Sequence, residues 1–174
     1  MKFVTDRRFW TVALGLCLAS LAWAADVDED PDEEKAWKEA EVVLPAFPEE
    51  ADLLPFPVGP RNNMRFMVDG KSISIGADDV IRYTLVVVSS QGARNISFEG
   101  IRCETAERRT YAFGRQDGTW SKARSDQWRK ISGGATNQYV VLYAQYFCAM
   151  GLPLIAGPER YRVVLRQGGV GIPP

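Results

Sequence analysis

The chain has 174 residues, of which 46% are hydrophobic and 25% are charged, and it contains no histidine. This composition is typical of one globular domain and differs from that of disordered, collagen-like or multi-span membrane chains. A formal net charge of −1 gives no basic coat for nucleic acid. Without an imidazole, Ser-His-Asp and Cys-His catalysis and His-ligated metal sites are excluded. We therefore expect no metal, no other cofactor and no nucleic-acid partner.

The N-terminus has the three parts of a secretory signal peptide. Residues 1–8 carry three basic side chains, an apolar run covers residues 9–22, and Ala22-Trp23-Ala24 has the small-residue spacing that signal peptidase cleaves. The apolar run is shorter than the ~20 residues that a membrane-spanning helix needs. The sequence therefore predicts a signal peptide over residues 1–24, export to the periplasm, cleavage after Ala24 and no stable membrane span in the mature chain.

Cys17 introduces the alternative of a lipoprotein anchor, because it lies within the apolar run. It is preceded by Leu16, however, whereas the lipoprotein signal peptidase requires a small residue at that position. The sequence therefore disfavours lipidation at Cys17.

Cleavage after Ala24 leaves two cysteines, Cys103 and Cys148. In an oxidising compartment two thiols most simply form one disulfide, which here closes a loop of 46 residues. A redox or nucleophilic cysteine is the alternative, but the chain has no CxxC motif and no histidine beside which a thiolate forms easily. The sequence therefore predicts one structural disulfide.

Charge divides the predicted mature chain into an acidic N-terminal segment and a basic body. Residues 25–60 carry 12 acidic and 2 basic side chains, whereas residues 61–174 carry 9 acidic and 16 basic ones, of which 13 are arginine. Residues 25–40 are predicted to be a disordered acidic leader, and frequent prolines predict an extended arm over residues 41–60. We expect the acidic charge to meet the body's own arginines, with docking of a basic partner as the alternative.

The body, residues 61–174, is predicted to form one α+β domain with an antiparallel sheet of about six to eight strands. Asp69-Gly70 and Asp117-Gly118 each predict a hairpin turn between two short strands. Between these turns, the β-branched run over residues 81–89 is typical of a core strand, and apolar and polar residues alternate over residues 95–103.

One helix is predicted in this domain, over about residues 137–150, and we expect it to cover one face of the sheet. Thr136 or Asn137 can cap its first turn. A last strand is predicted over residues 161–166, before a glycine-rich tail.

Charged residues of the body are the candidate functional residues. Glu99 lies in a strand otherwise built of core residues, so it is either half of a catalytic carboxylate pair or, as we favour, part of an ion pair with Arg82 or Arg102. Five arginines could form one cationic face that meets an anionic partner once the acidic arm lifts. The candidate binding residues are Arg82, Glu99, Arg102, Arg108, Arg109 and Arg115.

Several distinctive short motifs lie along the body. The most distinctive are Val80-Ile81-Arg82-Tyr83-Thr84, Phe98-Glu99-Gly100-Ile101-Arg102-Cys103, Tyr111-Ala112-Phe113-Gly114-Arg115, Asp117-Gly118-x-Trp120 and Tyr146-Phe147-Cys148. From about Leu44 to Leu165 the chain resembles the cryptic neisserial protein one-like family of small exported proteins from β-proteobacteria and their relatives. This resemblance implies a periplasmic or lipoprotein location. It implies no catalytic or ligand residue, because none is established in the family.

Two functions of different classes follow from these patterns. We favour a non-catalytic periplasmic or cell-envelope protein that binds an envelope protein or wall component, because the chain has no histidine, no catalytic motif and an arginine-rich body. The alternative is a carboxylate-dependent glycan hydrolase that uses Glu99 and an Asp as its pair.

Overall fold

The strands form one antiparallel sheet in which neighbours along the chain are neighbours in space. The structure is a computed structural model that describes residues 37–60, 63–154 and 157–170. The predicted signal peptide and residues 25–36 of the predicted leader lie outside these ranges. Strands β1 to β6 follow the order of the sequence, and β7 pairs with β5. The strands are β1 (Leu53–Phe56), β2 (Arg65–Ile75), β3 (Val80–Val88), β4 (Arg94–Arg102), β5 (Glu107–Gly114), β6 (Trp120–Lys122) and β7 (Arg129–Lys130).

One long strand replaces the hairpin predicted at Asp69-Gly70. Strand β2 continues through this dipeptide, and its pairing with β3 shifts register between Asp69 and Ser74. Gly70 does not have the positive φ that a two-residue hairpin turn requires. Instead, Ser72 Oγ accepts a hydrogen bond from the Thr84 amide at 2.8 Å and donates one to the Asp69 carbonyl at 2.8 Å. The prediction of a hairpin here was wrong, because the dipeptide forms a bulge.

The second hairpin prediction is confirmed. Asp117-Gly118 connects β5 to β6, and Gly118 has φ 79°, a conformation that glycine adopts without strain. The Asp117 side chain stabilises the turn by accepting hydrogen bonds from the amide and the hydroxyl of Thr119, at 3.0 and 2.6 Å.

Strand β5 carries a bulge that decides which side chains share a face. Phe98 of β4 lies opposite Ala112, whereas Glu99 lies opposite Thr110, so Tyr111 is an extra residue in β5. Side chains alternate between the two faces of a strand, and one extra residue reverses this alternation. Phe113 therefore lies on the same face as Thr110.

The predicted helix at residues 137–150 exists but is shorter and less regular. Helix α1 (Gln138–Val141) begins after Asn137, whose side chain accepts a hydrogen bond from the Tyr139 amide at 2.9 Å, and it continues as a π-helix over Leu142–Phe147. Cys148 is already extended, so the helical segment ends there. A small hairpin follows, formed by β8 (Cys148–Ala149) and β9 (Leu152–Pro153).

The strand predicted at residues 161–166 was wrong, because helix α2 (Pro158–Gln167) occupies this part of the chain. Pro158 begins the helix, and Gly168 ends it in the left-handed conformation. Tyr161, Val164 and Leu165 are buried, and their spacing places them on one helical face. Capping and this spacing outweigh the strand propensity of the valines. The antiparallel sheet with a C-terminal helix confirms the predicted α+β class.

The two faces of the sheet are covered by different parts of the chain. We call the face that carries Tyr83, Leu85 and Ile101 the front face, and it packs against the helical segment and α2. We call the opposite face, with Phe98 and Tyr111, the back face. Residues 37–47, named the back-face segment here, lie across it. The Trp120 indole, for example, donates a hydrogen bond to the Pro45 carbonyl at 2.9 Å.

A disulfide holds the helical segment to the sheet. Cys103 directly follows β4, Cys148 directly follows the π-helix, and their sulfur atoms are bonded at 2.04 Å. Both side chains are buried. The disulfide predicted from the sequence is thus present in the structure. The helical segment that it holds covers one part of the front face and leaves the rest open.

Candidate binding groove on the front face

The part of the front face that the helices leave uncovered is an open groove of about 790 Å³. Strands β2 to β5 form its floor. The connection from β6 to β7, with Gln127, and β7 itself, with Arg129, form a wall. Gln138 and Tyr139, at the start of α1, close one end. The volume lies within the range of ~300–1,000 Å³ that is usual for small-molecule pockets.

A buried carboxyl group, Glu99, lies in the floor of this groove. Its side chain accepts hydrogen bonds at Oε1 from Ser97 Oγ at 2.7 Å and the Tyr139 hydroxyl at 3.2 Å, and at Oε2 from the Tyr83 hydroxyl at 3.3 Å. Burial raises the pKa of Glu99, although these hydrogen bonds and the charge of Arg108 oppose the rise. The two carboxyl oxygens of Glu99 are thus occupied by hydroxyl donors of the same chain.

Two arginines face each other across the edge of the sheet at the polar end of the groove. Arg108 of β5 and Arg129 of β7 are directly opposite in the antiparallel register, and both line the groove. The Arg108 guanidinium is stacked 3.8 Å from the centre of the Tyr139 ring, which fixes its position. Within the described ranges, neither arginine has a carboxylate within ion-pair distance. Like charges in this arrangement repel each other unless an anion lies between them.

The back face differs, because its arginines are neutralised by carboxylates of the same chain. Glu39 of the back-face segment accepts hydrogen bonds from Arg109 Nη1 and, at 2.6 Å, from the Tyr111 hydroxyl. Its Oε1 also lies 3.7 Å from Arg82 Nη2. Arg82, which is 5% exposed, donates two hydrogen bonds to Asp78, at 2.6 and 3.1 Å. This buried network attaches residues 37–47 to the sheet.

Aromatic contacts complete the attachment of the back-face segment. The Arg102 guanidinium lies 3.6 Å from the centre of the Trp37 ring, and the Trp37 indole donates a hydrogen bond to the Asp78 carbonyl at 3.0 Å. Trp37 also packs edge-on against Trp128, with ring centres 5.9 Å apart. Because Trp128 precedes Arg129, this contact supports the groove wall from behind.

The structure does not bring the five candidate arginines together in one face. Adjacent residues of a strand point to opposite sides of a sheet, so Arg108 lines the groove whereas its neighbour Arg109 binds Glu39 on the back face. Arg82, Arg102 and Arg109 lie on the back face. Arg108 lies in the groove, and Arg115 is exposed at the β5–β6 hairpin.

The ion pair that we favoured for Glu99 is likewise absent from the described residues. Arg82 lies opposite Gly100, next to Glu99, but on the other face of the sheet. Hydroxyl groups take the place of the expected guanidinium, as described above. The expectation was wrong because it treated closeness in sequence as closeness in space, whereas alternation along a strand separates the two side chains.

Sequence reasoning missed the groove itself, although one signal for it was present. In β4, Asn95, Ser97 and Glu99 are polar, whereas Ile96 and Phe98 between them are apolar. Such alternation places the polar residues on one face of the sheet. The cations contributed by the β6–β7 connection carried no comparable signal, because nothing in their order indicates which way an irregular connection folds.

A comparison with protein families matches residues 32–162, which include the back-face segment and all of the sheet, to the CNP1-like family. The chain belongs to the CNP1-like family. The resemblance noted from its motifs, to the cryptic neisserial protein one-like family, is thereby confirmed. Comparisons with curated proteins and with solved structures gave no match. In the described ranges, no helix is long and apolar enough to cross a membrane.

Removal of the Glu39 charge tests the back-face network. We expect Glu39→Gln to lower the free energy of unfolding by about 1–3 kcal/mol, because a charge-assisted hydrogen bond is lost and Arg109 is left half-buried without a carboxylate. The measurement is urea unfolding at neutral pH. Glu41→Gln is the matched control, since Glu41 is exposed and two residues away, and it should change stability by less than about 0.5 kcal/mol. Equal effects of both substitutions would contradict the network.

The same network predicts an acid transition. Burial opposes ionisation of Asp78, but hydrogen bonds from Arg82 and from the Ala40 amide outweigh it and lower the pKa of Asp78 from 3.8 to about 2. Ionised Asp78 therefore stabilises the fold above about pH 4, and this contribution of about 2 kcal/mol is lost as the pH falls through 2.

Urea unfolding of wild type and Asp78→Asn between pH 6 and 2 measures this contribution. The stability difference between them should be largest at pH 6 and shrink below about pH 4. Asp126→Asn, at an exposed position, should follow the wild type throughout. A difference between wild type and Asp78→Asn that is independent of pH would refute the assignment.

Proposed function

We propose that this chain is an exported protein of the periplasm that binds an anionic component of the cell envelope in the front-face groove, without catalysing a reaction. The observation that carries the proposal is the Arg108–Arg129 pair, which lines the groove and has no carboxylate within ion-pair distance among the described residues. On the back face, by contrast, Arg82 and Arg109 are already neutralised by Glu39.

Charge around the groove supports an anionic ligand. Five basic residues line it, and Glu99 is the one acidic residue among the lining residues that the structure describes. Cations collected in a concave wall focus a positive potential and attract anions from solution. The basic residues are Arg94, Arg108, Lys122, Arg124 and Arg129.

Two independent features support export. The first 24 residues have the pattern of a signal peptide, as described above. The disulfide between Cys103 and Cys148 is compatible with an oxidising compartment such as the periplasm, since disulfides seldom persist in the cytosol.

Binding is favoured over glycan hydrolysis because a hydrolase of the usual kind needs two carboxyl groups across the scissile bond, about 5–10 Å apart. Glu99 has the burial and the raised pKa of a general acid. However, the described lining of the groove contains no aspartate and no second glutamate. Glu99 therefore fits better as a hydrogen-bonded group in the floor of a binding site.

Intact mass spectrometry of the chain from the periplasmic fraction tests export and the disulfide together. We expect a polypeptide that begins at Ala25 and gains the mass of two hydrogens on reduction. A chain that begins at Met1, or one that carries a lipid, would show that the assignment of the signal peptide is wrong.

Binding of simple anions tests the role of the arginine pair. We expect pyrophosphate and a tetraglutamate peptide to raise the unfolding temperature of the disulfide-bonded chain from Ala25, compared with sodium chloride of equal ionic strength. Because the arginines repel each other, Arg129→Gln should be more stable than wild type without ligand, by up to about 1 kcal/mol. The same substitution should weaken anion binding about tenfold.

Arg160→Gln is the matched control, since Arg160 is exposed on α2 and does not line the groove. This variant should bind both anions as the wild type does. If neither anion binds to the wild type, or if Arg129→Gln and Arg160→Gln weaken binding equally, the groove is not the site and the proposal fails.

A further inference from the structure

The groove has three zones along the sheet, and their order is set by the strand register. Arg108 lies opposite Ile101 and marks the cationic end. One step along, Glu99 lies opposite Thr110, and these residues form a polar middle zone. Further along, Ser97 lies opposite Phe113, where the apolar end begins. All the groove-facing residues named here come from consecutive positions on one face, so the zones follow each other in a line.

The apolar end is built from β2, β3 and β5. Phe66 lies opposite Val87, and both line the groove together with Leu85 and Phe113. Phe113 is 51% exposed, which is unusual for a phenylalanine in a chain whose core is otherwise well buried. An apolar side chain at the lip of a concave site is typical of contact with an apolar part of a ligand.

Distances along the sheet give the size of the ligand. Four residues of β4 separate the position opposite Arg108 from the position opposite Phe113, so at ~3.3 Å per residue the two are about 13 Å apart. Val87 lies opposite Asn95, two residues further, or about 20 Å from the cationic end. An elongated molecule therefore fits this groove better than a compact anion.

We propose that the groove binds a single-chain anionic amphiphile in which a hydroxyl-bearing linker joins an anionic group to an alkyl chain, the chemistry of a lysophospholipid. The Arg108–Arg129 pair binds the phosphate, Thr110 and Ser97 face the linker, and Phe66, Val87 and Phe113 contact the alkyl chain. This inference rests on the proposed function, since it names the ligand class of the same groove.

The floor between the two ends agrees with such a ligand. Glu99 is held by three hydroxyl groups, which occupy both of its carboxyl oxygens. The groove volume of about 790 Å³ lies within the range for one small ligand, which favours a single alkyl chain over the two chains of a bilayer lipid.

Isothermal titration calorimetry with three matched ligands tests the inference, on the disulfide-bonded chain from Ala25 and below the micelle concentration of each ligand. Lauroyl lysophosphatidic acid has the anion, the linker and the alkyl chain. Glycerol 3-phosphate lacks the alkyl chain, and monolauroylglycerol lacks the anion. We expect the complete amphiphile to bind at least about tenfold more tightly than either of the others, because several methylene groups and one charge-assisted contact each contribute.

Two substitutions test which part of the groove binds each end of the ligand. Arg129→Gln should remove the advantage of the complete amphiphile over monolauroylglycerol, and Phe113→Ala should reduce its advantage over glycerol 3-phosphate. Leu152→Ala is the control for Phe113→Ala, because Leu152 is 61% exposed and does not line the groove. Circular dichroism checks that each variant is folded, and Phe113 and Arg129 are exposed enough for their replacement to leave the core intact.

The outcomes separate this inference from the proposed function. If glycerol 3-phosphate binds as tightly as the amphiphile, through Arg129, the groove recognises anions but not alkyl chains, and only the inference is overturned. If monolauroylglycerol binds equally well, the anion is not recognised, and both are overturned. Tighter binding of the tetraglutamate peptide than of the amphiphile would overturn the inference in favour of an acidic protein segment.

Discussion

The carboxylate of Glu39, held between Arg82 and Arg109, is the interaction on which the arrangement of the molecule depends. A sheet with this many arginines has to neutralise those that become buried, because an unpaired charge away from water is costly. Residues 37–47 bring the needed carboxylate to the back face and cover its aromatic residues at the same time. The front face needs no such cover, since helices close one part of it. The other part is left open to solvent, and among the described residues its Arg108 and Arg129 have no carboxylate within ion-pair distance.

Much of the architecture follows from local pattern. A β-branched run located β3, and alternation of apolar and polar residues located β4. Asp117-Gly118 located a hairpin, and the possible cap at Thr136 or Asn137 located the start of a helix. The errors arose where tertiary contacts outweigh a local signal. At Asp69-Gly70, pairing with β1 on one side and β3 on the other continues the strand through a dipeptide that usually turns. At residues 158–167, a proline in the first turn, a glycine cap at the C-terminus and one buried stripe produce a helix from residues that favour strands.

The site was less predictable than the fold, for a physical reason. Composition showed an excess of arginine but not how the arginines are divided between the two faces of the sheet. That division depends on the alternation of side chains along each strand. Arg108 and Arg109 differ by one position and have unrelated surroundings, a stacked tyrosine ring for the first and a carboxylate for the second. A bulge reverses this alternation, and a bulge is hard to recognise in the sequence. Membership of the CNP1-like family fixes the relationship of the chain but assigns no role to these residues.

The bulge at Tyr111 has a consequence for how such a groove can change. If β5 kept all its residues but paired without the bulge, Phe113 would share the face of Arg109 and would point to the back-face segment rather than the groove. A change from bulged to regular pairing would thus turn the lip of the groove inside out without the change of a single amino acid. The pairing pattern of this strand therefore determines which side chains line the groove. Relatives that differ by one residue here should be compared by position within the sheet rather than by aligned identity.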